Sequence, residues 1–259
     1  MLQVGIFGAS GRMGSLLIQE VSKDENLQLS SVYARDNTQE LYAQNLPVAK
    51  TIKDFLDSCA CIIDFSSKEG SLELMQTAKN HHIYKPMVIG TTGFSQEEFD
   101  MLQALSTHCP ILYASNMSMG VAILAKISAI VAQTLKDSDI EIVEYHHRHK
   151  KDAPSGTALT LAQACAEARG LDLQKVRVSG RDGIIGARSK DEIGVMSIRG
   201  GDVVGKHNVG FYLDGEYLEL THNATSRLTF VKGAICALKW LATKPNGLYT
   251  IQDSLGLNA

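Results

Sequence analysis

Residues 144–159 read Glu-Tyr-His-His-Arg-His-Lys-Lys-Asp-Ala-Pro-Ser-Gly-Thr-Ala-Leu, and they concentrate the side chains best suited to chemistry. His146, His147, His149, Arg148, Lys150 and Lys151 occupy six consecutive positions, so three of the chain's eight histidines stand among three cations. Such a cluster repels itself unless it faces a compact anion. Histidine titrates near neutrality, and a lysine among other cations gives up its proton more easily. The residues therefore suit proton transfer to a small acidic substrate. If 144–150 is extended, Glu144, His146, Arg148 and Lys150 share one face, with His147 and His149 on the other. A general acid at His146 with Lys150 beside it is then natural, and use of His147 on the same substrate requires a bend after the strand. Asp152-Ala153-Pro154 supplies a turn, with Pro154 keeping Ala153 out of the helical region. Ser155, Gly156 and Thr157 then open a helix whose hydroxyl and N–H groups can donate to a carboxylate. Two readings compete: a solvated basic strand end, and a His-x-His metal site. The second lacks a carboxylate or cysteine at suitable spacing, so no metal is expected. Arg199-Gly200-Gly201 and Lys206-His207 read as supporting or interface cations, and His222 as a core or hinge residue.

A second chemical signal lies at the N-terminus. Gly8-Ala9-Ser10-Gly11-Arg12-Met13-Gly14 falls between a strand-like run and a helical one. Gly8 permits a tight turn, Gly11 lets backbone approach a pyrophosphate, and Gly14 allows close helix–strand packing. Arg12 is placed to neutralise phosphates at the helix start. The second strand ends Val32-Tyr33-Ala34-Arg35-Asp36. Ala34 stands where an acid would hold the ribose hydroxyls of NADH, and Arg35 suits the 2′-phosphate of NADPH. Asp36 blurs that choice, so NADPH is favoured with NADH also usable. Phe65 ends the third strand, Gly90-Thr91-Thr92-Gly93 closes the fourth, and Ala114-Ser115-Asn116-Met117 closes the next. All stand at the carboxyl edge where cofactors lie in such sheets.

The elements that must position these residues alternate in the first 115 positions. Leu2–Phe7, Leu27–Ala34, Cys61–Phe65, Met87–Ile89 and Ile111–Ala114 read as strands. Ser15–Ser22, Glu69–His81 and Ser95–Ser106 read as helices, the last with a capping box of Ser95 and Glu98. This alternation predicts a parallel sheet covered on both faces. Met119–Leu135 is a long apolar helix leading to a second unit. There Asp139–His146, Lys175–Ser179, Gly194–Arg199, Val203–Leu213 and Glu216–His222 read as strands of a mostly antiparallel sheet open on one face, with a helix over Thr157–Arg169 stopped by Gly170. A last apolar helix, about 230–241, packs back on the first unit. The fold class is α/β: a Rossmann-like dinucleotide-binding domain over 1–117 and 228–259, with an α+β substrate-binding and oligomerisation domain over 118–227.

Composition bounds the function. A net charge of −3 over 259 residues argues against a nucleic-acid partner and makes the basic cluster local. The longest apolar run, Val121 to Ala132, is broken by Lys126, and no run reaches the roughly 18–20 residues of a membrane span. The chain runs almost at once into a strand, with no basic region or cleavage signal. Five cysteines are odd in number and lack CxxC spacing, as expected of reduced thiols in a cytoplasm.

Taken together, GASGRMG at the start, GTTGF at 90–94, EYHHRHKKDAPSGTAL and the later RGG…G.H segment resemble the dihydrodipicolinate reductase family, over essentially the whole chain. The resemblance implies an NAD(P)H-dependent oxidoreductase of lysine and diaminopimelate synthesis, acting on a small cyclic dicarboxylate. It implies a homotetramer built through the open mixed sheets of the second domain. By position, His146 would donate the proton with Lys150 as catalytic partner. His147, Lys150, Gly156 and Thr157 would hold the substrate carboxylates, with Ser155 close by. Gly8 to Met13, Arg35, Gly90 to Thr92 and Ala114 to Met117 would contact cofactor. The family often has an acid where Ala34 stands and commonly phenylalanine where Met117 sits.

Two other functions fit parts of the pattern. A non-catalytic nucleotide sensor explains the glycine loop and leaves the His/Lys cluster unused. A semialdehyde dehydrogenase needs a nucleophilic cysteine near a histidine, and Cys109 before Pro110 is its candidate.

Overall fold

A computed structural model describes residues 1–258. In chain order the first elements are β1 (Leu2–Phe7), α1 (Arg12–Lys23), β2 (Leu27–Tyr33), α2 (Gln39–Ala43), α3 (Ile52–Asp57) and β3 (Cys61–Asp64). Next come α4 (Lys68–His81), β4 (Met87–Ile89), α5 (Gln96–Leu105), β5 (Pro110–Tyr113) and α6 (Met119–Thr134). The middle of the chain forms β6 (Asp139–His146), α7 (Gly156–Ala168), α8 (Leu173–Val176), β7 (Arg177–Val178) and β8 (Ile193–Arg199). It ends with β9 (Gly205–Leu213), β10 (Glu216–Ala224), α9 (Leu228–Leu241), β11 (Gly247–Tyr249) and α10 (Ile251–Ser254). These form two compact units, one of residues 1–118 with 228 onward and one of 119–227.

The first unit holds a six-stranded sheet in the order β11-β5-β4-β3-β1-β2, parallel at every pairing. All residues of β3 and β4 are buried, which is why these strands read as continuous apolar runs rather than alternating ones. Phe7, Phe55, Leu56, Ile62, Leu74, Met87, Leu102 and Ile111 belong to one core on this sheet. β1 pairs with β2 on one side and β3 on the other, so the strand order reverses there. A crevice opens beyond the carboxyl ends at such a reversal. Ser95 and Glu98 form the expected capping box at the start of α5. The sequence reading passed over α2, α3, β11 and α10. The first two are only five and six residues long, too short for a helical period to show.

The second unit holds a five-stranded sheet in the order β10-β9-β6-β8-β7. β9 is antiparallel to both β10 and β6, whereas β8 is parallel to both β6 and β7. The expectation of a mostly antiparallel sheet is thus corrected to an evenly mixed one. The cause is α7, which lies between β6 and β8 in the chain and supplies the long crossover that parallel pairing requires. The predicted strand at 175–179 is also corrected. Asp172 caps α8 by accepting from the Gln174 N–H at 3.0 Å, which leaves only Arg177 and Val178 for β7. One face of the sheet is apolar: Ile140, Ile142, Val195, Val209 and Phe211 pack against Leu124 of α6 and Ala158, Leu161 and Cys165 of α7.

α9 lies close against the strand-end segment of the first unit. A Cβ placed on Gly233 would meet the Met117 carbonyl oxygen at 1.7 Å. Gly233→Ala should therefore destabilise the protein by about 3 kcal/mol, read as a lowered Tm in thermal denaturation. A loss below about 0.5 kcal/mol would contradict that close approach.

Candidate active site

The first unit carries a cleft of about 410 Å³ at the strand-order reversal. It is lined by Gly8, Ser10 and Gly11 after β1, by Tyr33 to Asn37 after β2, and by Phe65 to Ser67, Gly70 and Glu73 after β3. Gly8 has a φ of +85°, and a Cβ there would lie 2.7 Å from the Phe65 carbonyl oxygen. A Cβ on Gly14 would lie 2.3 Å from the Gly8 carbonyl oxygen. Both glycines are thus required by the tight passage from β1 into α1. Gly11 is the N-cap of α1 and offers no side-chain cap, so the first-turn N–H groups and the helix dipole face the loop. A loop without side chains, set at an uncapped helix start, fits the pyrophosphate of a dinucleotide.

One buried carboxylate shapes this cleft. Asp64, at the end of β3, accepts hydrogen bonds from the Ser66 N–H at 2.9 Å and from the Ser71 hydroxyl, with Thr91 Oγ1 at 3.4 Å. Burial pushes its pKa above the ordinary carboxylate value, against the lowering effect of those donors. Asp64 so fixes the 65–67 turn that lines the cleft.

The second unit gathers a different set. β6 ends at His146, and the chain then bends rather than continuing as a strand: the His147 N–H donates to the Val203 carbonyl and Arg148 N–H to that of Gly201. The single-face arrangement of 144–150 is therefore corrected, and the bend needed to use both His146 and His147 is present. Glu144 is fully buried and accepts two bonds from Arg199, Nη1 to Oε2 at 2.9 Å and Nη2 to Oε1 at 2.8 Å. It also accepts from the Ser155 N–H at 3.1 Å and lies 2.5 Å from Nδ1 of His146. Arg199 Nη2 donates further to the Asp152 carbonyl at 2.6 Å, tying down the turn that carries Lys150. Lys150 Nζ pairs with Asp152 Oδ1 at 2.9 Å.

These contacts decide protonation. Burial works to raise the Glu144 carboxyl, but the hydrogen bonds from Arg199 and His146 outweigh it and hold the group at about 2. Glu144 is therefore ionised and fixes the proton of His146 on Nδ1. The opposite nitrogen, Nε2, is turned toward Gly205, where a Cβ would come within 3.2 Å of it. Burial lowers the His146 pKa, and the Glu144 charge opposes that fall. Burial also pulls His207 down to about 4, so it is neutral, and its ring meets that of His146 edge-on at 5.2 Å. Nδ1 of His147 and Nδ1 of His207 are buried without a hydrogen-bond partner. A ring nitrogen that is buried and unpaired calls for a ligand or water.

Comparison with known proteins places these two sites in one lineage. A family model described as dihydrodipicolinate reductase, N-terminus, matches residues 2–117, and its C-terminal counterpart matches 120–255. The 4-hydroxy-tetrahydrodipicolinate reductase of Helicobacter hepaticus is 59% identical over 98% of this chain and 99% of that protein. This chain belongs to the dihydrodipicolinate reductase family. The protein of that name from Wolinella succinogenes is 54% identical over 99% of this chain and the whole of its own length. Among solved structures, a dipicolinate-bound dihydrodipicolinate reductase from Paenisporosarcina sp. TG-14 superposes with a TM-score of 0.80. At 24% identity over 98% of this chain and 99% of that one, this similarity speaks for the fold alone.

Within this reductase fold the expected residues divide. Gly8, Ser10, Gly11, Ala34, Arg35 and Phe65 line the nucleotide cleft. Ala9 is buried and its N–H is bonded to Tyr33, while Arg12 and Met13 open α1 beside the cleft. Gly90, Thr91 and Thr92 follow β4, and Ala114, Ser115 and Asn116 follow β5, at the same carboxyl edge of the sheet. Met117 is only 1% exposed and its carbonyl lies under α9, so its packing is internal to the unit. Ser155 is tied into its own unit. Its N–H is held by Glu144, while its hydroxyl accepts from the Ala158 N–H and sits 3.3 Å from His207 Nε2. Ser155 caps α7, and Gly156, exposed, and Thr157, half-buried, form the start of that helix. Glu144 and Glu73 were not read as functional, and Arg199 and His207 were read only as supporting cations. The signal for Glu144 was its place in the alternation of β6: it falls on the buried face, where an acid needs a partner.

The Glu144–His146 pair makes a direct prediction. Glu144→Gln removes the charge that opposes desolvation, so the His146 titration midpoint should move to lower pH in an NMR titration of the imidazole. An unmoved or raised midpoint would show that Glu144 does not hold the ring.

Proposed function

We propose that this protein catalyses the NAD(P)H-dependent reduction of 4-hydroxy-tetrahydrodipicolinate to tetrahydrodipicolinate, in lysine and diaminopimelate synthesis. Membership of the reductase family supports the activity. The observation that carries the chemistry is the buried Glu144 carboxylate on His146 Nδ1. It leaves Nε2 as the one ring atom able to deliver a proton, and it stabilises the protonated form from which the proton comes.

The substrate is a cyclic imine with two carboxylates. We assign its anionic groups to the Lys150 ammonium, the His147 ring and the N–H groups at the Gly156–Thr157 helix start, where charge and dipole favour carboxylates. When bound, the reduced nicotinamide supplies a hydride to the ring carbon conjugated with the imine, made electrophilic by loss of water. His146 then protonates the resulting enamine, and Lys150 assists by opposing the return of charge to His146. Gly8 to Met13 would hold the dinucleotide phosphates, Ala34 and Arg35 would face its adenosine ribose, and Phe65, Gly90 to Thr92 and Ala114 to Asn116 would lie toward the nicotinamide.

The dehydrogenase alternative finds no support. Cys109 is 2% exposed and burial pushes its thiol up to about 12, so it holds no thiolate at neutral pH. The nucleotide-sensor alternative leaves the Glu144–His146–Arg199 arrangement without use.

We further place the protein in the cytoplasm, supported by five unpaired thiols and by the absence, among the described residues, of any helix long and apolar enough to cross a membrane. A homotetramer formed through the second sheet is supported by Ile198, Tyr212 and Tyr217, large side chains left exposed on β8 to β10. Sedimentation equilibrium should return four times the chain mass, and a monomer at micromolar concentration would end that proposal.

His146→Ala should lower kcat by about 10²–10⁴-fold with a much smaller change in KM, read as substrate-dependent NADPH oxidation. An unchanged kcat would remove His146 from the proton transfer.

A further inference from the structure

We infer that Glu73 on α4 sets how the nucleotide cleft divides its affinity between dinucleotides with and without a 2′-phosphate. The inference rests on the nucleotide-binding role proposed for the cleft. Sheets of this kind read the adenosine ribose at the tip of the second strand, where an acid binds the two hydroxyls. Here that position is Ala34, buried and with no side-chain acceptor. Arg35 follows it, and by itself would make the cleft selective for the phosphorylated form.

The structure adds a group that the strand tip does not contain. Glu73 comes from a different element, lines the same cleft, and holds Arg35 through an ion pair of 2.9 Å between Oε2 and Nη2. Both side chains are about half exposed, at 55% and 54%. Its charge reaches the cleft wall: burial raises the pKa of Tyr33 and Glu73 raises it further. Asp36 is the other acid lining this end, and it follows Arg35 directly in the chain. An ion pair so exposed is weak, because solvent screens it. A phosphate dianion, which can take a guanidinium bidentately, is the stronger partner and displaces Glu73.

The two ligands then meet different sites. Without the phosphate, Glu73 keeps Arg35 neutralised and leaves a carboxylate to accept from the ribose hydroxyls, restoring the acid missing at Ala34. With the phosphate, Arg35 turns to the dianion and Glu73 remains nearby as a repelling charge. Glu73 therefore moderates the preference that Arg35 creates and so opens one cleft to both NADPH and NADH.

Isothermal titration calorimetry of the full chain with adenosine 2′,5′-bisphosphate and with 5′-AMP tests this without catalysis. In Glu73→Gln the ratio of the two dissociation constants should shift by about fivefold or more toward the bisphosphate, and the shift should shrink in about 0.5 M salt. Glu73→Asp, which keeps the charge, should stay within about twofold of the wild-type ratio, and Arg35→Gln should lose most of the bisphosphate preference. A ratio unmoved in Glu73→Gln, with both probes still bound, would overturn the inference and leave the nucleotide site intact. Binding of neither probe by the wild-type protein would overturn the nucleotide site, and the role of Glu73 with it.

Discussion

A carboxylate with no access to solvent organises the second unit. Glu144 lies on β6, the central strand of its sheet, and a lone charge there would be prohibitively unfavourable. Arg199 on the neighbouring strand answers it with two bonds, and the first residue before α7 gives a third through its backbone. Removing one partner of such a set is far more damaging than exchanging all of it for apolar groups, because a buried charge would be left alone. What the arrangement supplies is position. One acid ties β6 to β8 through Arg199, holds the start of α7 and orients the His146 ring, while Arg199 in turn holds the turn at Asp152.

The first unit uses the same device for another purpose. Asp64 stands at the end of β3 as Glu144 stands near the end of β6, and each bonds the start of the helix that follows or the turn leading to it. The difference lies in the partners. Asp64 has only neutral donors, so burial dominates and its pKa rises, whereas Glu144 has a guanidinium and an imidazole and stays ionised. A carboxylate among neutral donors serves to shape a loop. A carboxylate beside a cation and a histidine sets a protonation state.

Much of this was legible in the chain because the relevant signals are local. The glycine loop, the capping box at Ser95 and the buried strands of the first sheet all depend on residues a few positions apart. His146 and Lys150 were visible as types within one stretch. What could not be read were partnerships across elements. Arg199 is 55 positions from Glu144 along the chain, and Glu73 is 38 from Arg35, so no spacing announces either pair. Ser155 shows the same limit. Its type and position could be read locally, but its bonds to Glu144, Ala158 and His207 tie together residues up to 52 positions apart. The strand expected over 175–179 was trimmed to Arg177 and Val178 for a similar reason: Asp172 drew the residues just before them into a helical turn, overriding their strand-like alternation.

The chain's return to its first unit after residue 228 bears on how the molecule is made. Residues 119–227 form a continuous stretch whose internal contacts are complete by the time Arg227 has been synthesised. The earlier unit has to wait. Its sheet lacks the outer strand β11, and the apolar face of α9, with Val231, Ala234 and Leu238 fully buried, is still to be translated. On the ribosome the later-synthesised unit can thus settle before the earlier one, reversing the usual N-to-C order of domain folding and leaving an unfinished apolar sheet for chaperones to guard until the last thirty or so residues emerge.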